Sequence, residues 1–119
     1  MHGEIKMTEK IQYLFLCHAG AKRSPTAASV AREIAEEKGL DIEMNYGAAD
    51  AIGKENAKYM KTHLSRYKKK FVMQKDIYDK LESIGVNMKE VFCLDIPDIY
   101  ERQDNQLREI LRRKLQALI

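Results

Sequence analysis

The sequence has few cysteines, no long apolar run and no cluster of metal-binding side chains, and each shortage excludes a class of protein. Two cysteines in 119 residues are too few for a disulfide scaffold and favour a reducing cytoplasm. No apolar run approaches the length of a membrane span, so we expect neither a membrane segment nor a secretory signal. His2, His18 and His63 are scattered and lack partners at metal-ligand spacing. We therefore expect no metal.

Motifs for binding nucleotides and nucleic acids are also missing. No Gly-x-Gly-x-x-Gly occurs, and the segment 20–24 lacks the Gly-Lys-Ser/Thr triplet of a nucleotide P-loop. The formal charge is +3, and basic runs occur at 68–70 and 112–114. Because no nucleic-acid motif accompanies these runs, we interpret both as solvated faces among helix-forming residues. We expect no cofactor and no nucleic-acid partner.

What the sequence does contain is a cysteine loop that reads Cys17-x5-Arg23-Ser24. The apolar run 13–16 before it predicts a buried strand, and apolar residues at helical spacing after Pro25 predict a helix that ends at Gly39. A loop that joins a strand to a helix N-terminus turns its backbone N–H groups inward and binds anions. The context therefore predicts a site for a phosphate group.

The residue types in this loop predict cysteine-based phosphate-ester chemistry. We expect Cys17 to lie at the base of the loop as a thiolate nucleophile, and the planar guanidinium of Arg23 to clamp the phosphate oxygens. The Ser24 hydroxyl is placed to hydrogen-bond the sulfur. The backbone N–H groups expected to hold the phosphate belong to His18, Ala19, Gly20, Ala21, Lys22 and Arg23. The side chains of His18 and Lys22 are expected to point outward and shape the rim.

Strands that alternate with helices along the chain predict an α/β three-layer sandwich with a parallel sheet. We expect one domain over residues 11–119, preceded by a flexible leader at residues 1–10. Further strands are predicted at 42–46, 71–73 and 91–94, and further helices at 54–67, 76–84 and 105–119. Asp104 is the expected cap of the last helix.

The leaving group of a phosphate ester needs a proton, and two aspartates are candidates to supply it. Asp95 and Asp98 follow the last predicted strand, and ligands bind at the carboxyl ends of parallel strands. Asp95 is preferred because it ends the strand directly. Tyr100 is expected either to wall the pocket or to be a half-buried surface tyrosine. Cys93 is expected to be a core residue.

With these residues the chain resembles the low-molecular-weight protein tyrosine phosphatase family, from Tyr13 to the last helix. The strongest parts are residues 17–26, 71–73 and 94–100. The resemblance implies a flavodoxin-like, four-stranded sheet and a metal-free phosphatase with a phosphocysteine intermediate on Cys17. It implies a phosphorylated protein or a small aryl phosphate as substrate. It assigns the general acid to the aspartate after the last strand.

The chain departs from that family at two loop positions. Gly20 stands where the family usually has an asparagine that braces the loop, and Lys22 replaces a second cysteine. Glycine adopts the same left-handed backbone but cannot brace, so we expect a looser loop. Two alternative functions therefore stay open. One is an arsenate reductase, which needs a further cysteine to pass electrons, and the other is an inactive oxyanion-binding module.

Overall fold

The computed structural model describes residues 10–119, so the expected leader lies outside the described residues except for Lys10. Four strands alternate with four helices, as the sequence predicts. The strands are β1 (Ile11–Cys17), β2 (Ile42–Ala48), β3 (Lys69–Val72) and β4 (Val91–Cys93). The helices are α1 (Arg23–Glu37), α2 (Ala57–Leu64), α3 (Lys75–Ser83) and α4 (Asn105–Leu115).

All four strands pair in parallel in the order β2-β1-β3-β4. From β1 the chain passes to β2 on one side of it, and β3 and then β4 follow on the other side. The chain therefore winds in opposite directions from β1 and from β3. In an open parallel sheet, the crevice at the carboxyl ends of two such strands is where ligands bind. The fold therefore opens a crevice where β1 delivers Cys17.

Side chains alternate across the sheet and form two cores. On one face Phe71 stacks between Phe15 and Phe92, with ring centroids 4.7 and 5.4 Å away, and α1 and α4 cover this layer. On the other face Leu14 and Val72 pack with buried residues of α2 and α3. The predicted three-layer α/β sandwich with a parallel sheet is confirmed.

Two predicted helices are longer than those in the structure. The helix expected at 54–67 contains a short 3-10 turn followed by α2, which ends at Leu64. It ends there because the chain must turn into β3, where the Lys68 N–H donates to the Gln12 carbonyl at 2.8 Å. The last helix ends at Leu115. Its cap is confirmed, since the Asp104 carboxylate accepts from the N–H groups of Gln106 and Leu107.

The basic run 68–70 does not lie on a solvated helix face as expected. It leads into β3, and Lys70 is only 5% exposed. Sequence patterns cannot separate a lysine on a helix face from one that a neighbouring strand buries. The second run, at 112–114, does lie on α4. None of the helices in residues 10–119 has the length and apolar character needed to cross a bilayer.

Candidate active site

A small cavity of about 140 Å³ opens where β1 ends and α1 begins. Because a water molecule occupies about 30 Å³ of liquid volume, the cavity has room for a group of a few heavy atoms. Its lining residues are Cys17, His18, Ala19, Ala21, Lys22, Arg23 and Asp98. Most of them belong to residues 17–24, here named the Cys17 loop.

The Cys17 side chain is 3% exposed and contacts Ser24 through two groups. Its Sγ atom lies 3.1 Å from the Ser24 hydroxyl oxygen and accepts from the Ser24 backbone N–H at 3.4 Å. The hydroxyl has a second acceptor in the Gly47 carbonyl, at 3.4 Å. The Ser24 hydroxyl and backbone N–H are therefore the two groups that contact the sulfur at the base of the cavity.

The backbone N–H groups around the cavity are available to a ligand. None of those at residues 18–23 donates a hydrogen bond to another described residue. No acidic side chain occupies the first turn of α1, and its N-cap residue Lys22 makes no capping bond with its side chain. The positive end of the helix dipole is therefore uncompensated, which favours an anion at this position.

The guanidinium of Arg23 is held by side-chain and backbone groups from two other segments. Arg23 is 1% exposed, and its Nη1 donates to Oε1 of Gln74 at 2.9 Å and to the Ile96 carbonyl at 2.6 Å. Gln74 lies two residues after the end of β3 and is the N-cap of α3, and Ile96 lies in the segment after β4. These acceptors fix the planar fork at the cavity wall. The sequence did not single out Gln74, because its partner lies 51 positions away.

The two candidate aspartates are placed differently. Asp98 lines the cavity, and its Oδ1 lies 3.7 Å from Nε of Arg23. Asp95 is exposed and does not line the cavity. Its neighbours Leu94 and Ile96 are buried, and its own φ of 56° is left-handed, which bends the chain after β4. The structure thus brings Asp98, and not the preferred Asp95, to Cys17 and Arg23.

Charged residues from distant segments surround the cavity mouth. His18 lies between two carboxylates, with Nδ1 3.2 Å from Asp50 and Nε2 2.9 Å from Asp76. Lys22 pairs with Glu101 at 3.2 Å. His18 and Lys22 are thus at the rim, as expected. Their acidic partners could not be found from the sequence, which carries no local signal for them.

Gly20 lies against the end of β2 with a left-handed φ of 70°. A Cβ atom there would lie 2.9 Å from the Gly47 carbonyl carbon and 3.0 Å from the Ala48 nitrogen. The adjacent His18 carbonyl accepts from the Asp50 N–H at 3.0 Å. The Cys17 loop thus packs backbone to backbone on the end of β2, a contact that only glycine allows.

Two other residues from the sequence analysis lie away from the cavity. Tyr100 is partly buried, packs against the core and does not line the cavity. Cys93 is exposed, so its expected place in the core is wrong. Its side chain is exposed because β4 is an edge strand and Cys93 is its last residue.

Solved structures of other proteins share this fold over most of the chain. The crystal structure of YfkJ from Bacillus subtilis matches with a TM-score of 0.67 at 17% identity, covering 92% of each chain. A low molecular weight phosphotyrosine phosphatase from Vibrio cholerae matches with a TM-score of 0.64 at 14% identity, covering 91% of this chain and 94% of that one. This chain has the low-molecular-weight phosphotyrosine phosphatase fold. The flavodoxin-like architecture implied by the sequence is confirmed.

The same fold includes an enzyme that acts on another phosphorylated residue. YwlE, an arginine phosphatase, was solved as a cysteine-to-serine mutant with a phosphorylated active-site serine. This structure matches with a TM-score of 0.64 at 17% identity, covering 91% of this chain and 93% of that one. A structure of YwlE from Bacillus subtilis matches as well. No family model and no curated protein matches this chain.

Proposed function

We propose that the protein is a cysteine-dependent phosphomonoester hydrolase with phosphotyrosine as its preferred substrate. The observation that carries the proposal is the arrangement at the cavity. The Cys17 sulfur, uncommitted backbone N–H groups, the buried Arg23 guanidinium and the Asp98 carboxylate line a space that suits one phosphate group. The neighbours with this fold named as phosphotyrosine phosphatases support the same chemistry.

In the first step the Cys17 thiolate attacks the phosphorus atom of the ester. A sulfur–phosphorus bond forms while the bond to the ester oxygen breaks, and the electron pair leaves on that oxygen. Asp98, as the carboxylic acid, protonates the leaving oxygen. The N–H groups of the Cys17 loop and the Arg23 guanidinium hold the three non-bridging oxygens, where negative charge concentrates.

In the second step water releases the phosphate. Asp98, now a carboxylate, accepts a proton from the water as its oxygen attacks phosphorus, and the sulfur–phosphorus bond breaks to restore the thiolate. The Ser24 hydroxyl, 3.1 Å from the sulfur, stabilises that departing anion. Inorganic phosphate leaves, and no metal takes part in either step.

The depth of the sulfur supports an aryl phosphate as substrate. Cys17 is 3% exposed at the base of the cavity, so the phosphate must be carried on a stem that reaches past the rim. The ring of phosphotyrosine supplies a longer stem than the single methylene of phosphoserine. A thiolate enzyme also requires a reduced cysteine, so we propose the cytoplasm as its compartment.

Hydrolysis of an aryl phosphate by the wild type and by Cys17→Ala tests the proposal. We expect turnover by the wild type only, and a phosphorylated cysteine in protein quenched during the reaction. Matched peptides with phosphotyrosine, phosphoserine and phosphoarginine then test the substrate class. Phosphate binding by both proteins without turnover would identify an oxyanion-binding module instead, and preference for phosphoarginine would overturn the phosphotyrosine assignment.

The arsenate reductase alternative is disfavoured by the sheet register. Leu16 aligns with Val72, and Val72 aligns with Cys93. Cys93 is therefore two strand spacings, or about 10 Å, from the end of β1. A disulfide needs Cα atoms within about 7 Å, so Cys93 cannot pair with Cys17 while the sheet stays intact.

A further inference from the structure

A larger cavity, of about 550 Å³, lies at the opposite end of the strands from Cys17. It is bounded by the end of α2, the turn into β3, the turn after α3 and the approach to β4. Because the strands are parallel, their amino ends lie together on this side of the sheet, whereas Cys17 lies at a carboxyl end. Cavities of a few hundred cubic ångströms are the size that holds small molecules.

Four lysines and one carboxylate supply the charge of this cavity, here named the lysine cavity. The lysines are Lys61, Lys68, Lys70 and Lys89, and the carboxylate is Glu90. Four positive charges and one negative charge leave a balance of +3, equal to that of the entire chain. None of the four ammonium groups forms an ion pair with a carboxylate of residues 10–119.

Lys70 is the innermost of these cations. It is 5% exposed on β3, and its Nζ donates to the Tyr67 carbonyl at 2.8 Å. A buried ammonium normally faces a carboxylate, because a carbonyl dipole offsets little of its desolvation. Burial lowers the pKa of Lys70, and the charge of Glu90 opposes that shift. Nζ keeps two further protons to donate.

In the wall of the lysine cavity, Gly85 leaves room for a second ammonium group, that of Lys61. Gly85 has a φ of 88°, and a Cβ atom there would lie 3.3 Å from Nζ of Lys61. The Lys61 side chain thus lies along the glycine backbone. Tyr67 and Val86, each 8% exposed, add apolar surface beside the charges. The cavity therefore combines cationic donors with a small apolar wall.

We propose that the lysine cavity binds a small organic diphosphate. Two linked phosphate groups carry about three negative charges at neutral pH, which matches the balance of the lining. Their oxygens accept several charge-assisted hydrogen bonds at once, from the buried Lys70 and from the lysines around it. The organic part then contacts Tyr67 and Val86. This site is separate from the Cys17 loop and does not depend on its chemistry.

Amide chemical shifts in NMR titrations test the proposal, with inorganic diphosphate and ADP as probes and orthophosphate as reference. We expect both probes to shift residues 61–70 and 85–90, and orthophosphate to bind there at least tenfold more weakly. Orthophosphate binding to the lysine cavity as tightly as the two probes would overturn the proposal. So would shifts confined to residues 17–23, or binding of an RNA oligomer without binding of either probe.

Charge-reversal variants supply the second part of the test. Lys61→Glu and Lys89→Glu are exposed changes that leave the fold intact, and each should weaken probe binding about tenfold. Arg113→Glu makes the same change of charge on α4, across the sheet, and should leave binding unaltered. Equal weakening by all three variants would overturn the proposal. Hydrolysis of an aryl phosphate should stay at the wild-type rate, so failure here is distinguishable from failure of the proposed function.

Discussion

Nε of Arg23 lies 3.7 Å from the Asp98 carboxylate, although the two residues are 75 positions apart in the chain. The same guanidinium is anchored through Nη1 to Gln74 and to the Ile96 carbonyl. One buried cation at the start of α1 therefore contacts the N-cap of α3 and the segment after β4. Asp98, the proposed acid, lines the same cavity as Arg23 and the proposed nucleophile Cys17.

Asp98→Asn should slow the hydrolysis of esters with poor leaving groups by about 10²- to 10⁴-fold, because only those esters need a proton in the transition state. Esters with good leaving groups should be affected much less. Rates measured over a series of aryl phosphates check this. Asp95→Asn is the matched control and should leave the series unchanged. If Asp95→Asn produced the leaving-group dependence and Asp98→Asn did not, the acid would be Asp95.

Ser24→Ala should slow the breakdown of the phosphocysteine more than its formation. The hydroxyl lies 3.1 Å from the sulfur, and a hydrogen bond to a charged group contributes about 1.5–3 kcal/mol, or roughly ten- to a hundredfold in rate. Rapid-quench kinetics should show a burst of product followed by slow turnover. Ser29→Ala, on the same helix, serves as control. A variant that forms the intermediate slowly and hydrolyses it at the normal rate would contradict this role.

Gly20→Ala should lower the free energy of unfolding by about 2 kcal/mol or more. The left-handed φ of 70° strains any L-residue, and the added Cβ would lie 2.9 Å from backbone of β2. Denaturant titration measures the loss. Gly39→Ala is a control with a similar φ of 71° and no atom within 4 Å, so it reports the backbone strain alone. Equal losses in the two variants would show that the close approach to β2 costs nothing.

Gln74→Met should weaken phosphate binding and reduce kcat/KM about tenfold, because Arg23 loses an acceptor 2.9 Å from Nη1. Gln74 touches the guanidinium and not the cavity, so it is a positioning residue. Gln74→Glu keeps an acceptor oxygen and should restore most of the activity. Steady-state kinetics with phosphate as competitive inhibitor provide the readout. Unchanged inhibition by phosphate in Gln74→Met would exclude the positioning role.

Lys70→Met should change how stability depends on pH. Burial lowers the pKa of Lys70 below its ordinary 10.5, so the folded protein sheds this proton before the unfolded chain does. The wild type should therefore gain stability relative to Lys70→Met as the pH rises toward about 10.5, because the unfolded state then holds more protons. Urea titrations of both proteins between neutral and alkaline pH measure the difference. A difference that is constant with pH would mean that the Lys70 pKa is not lowered.

Local patterns predicted most of the elements, because each reflects chemistry within a few residues. The run 13–16 lies within β1, Gly39 follows the end of α1, and Asp104 caps α4. Where prediction was wrong, a distant segment decided the outcome. Cys93 was expected in the core, but its exposure depends on β4 being an edge strand, which no local pattern records.

The amino-acid sequence by itself determined the cysteine loop and the alternation of strands and helices, because the spacing from Cys17 to Ser24 and the apolar periodicity are local properties. Only the tertiary structure decided which aspartate lines the cavity, what anchors Arg23, and where Lys70 is buried. Each of these depends on the spatial order of the parallel strands in the sheet. That order brings together side chains that are more than 50 positions apart in the chain.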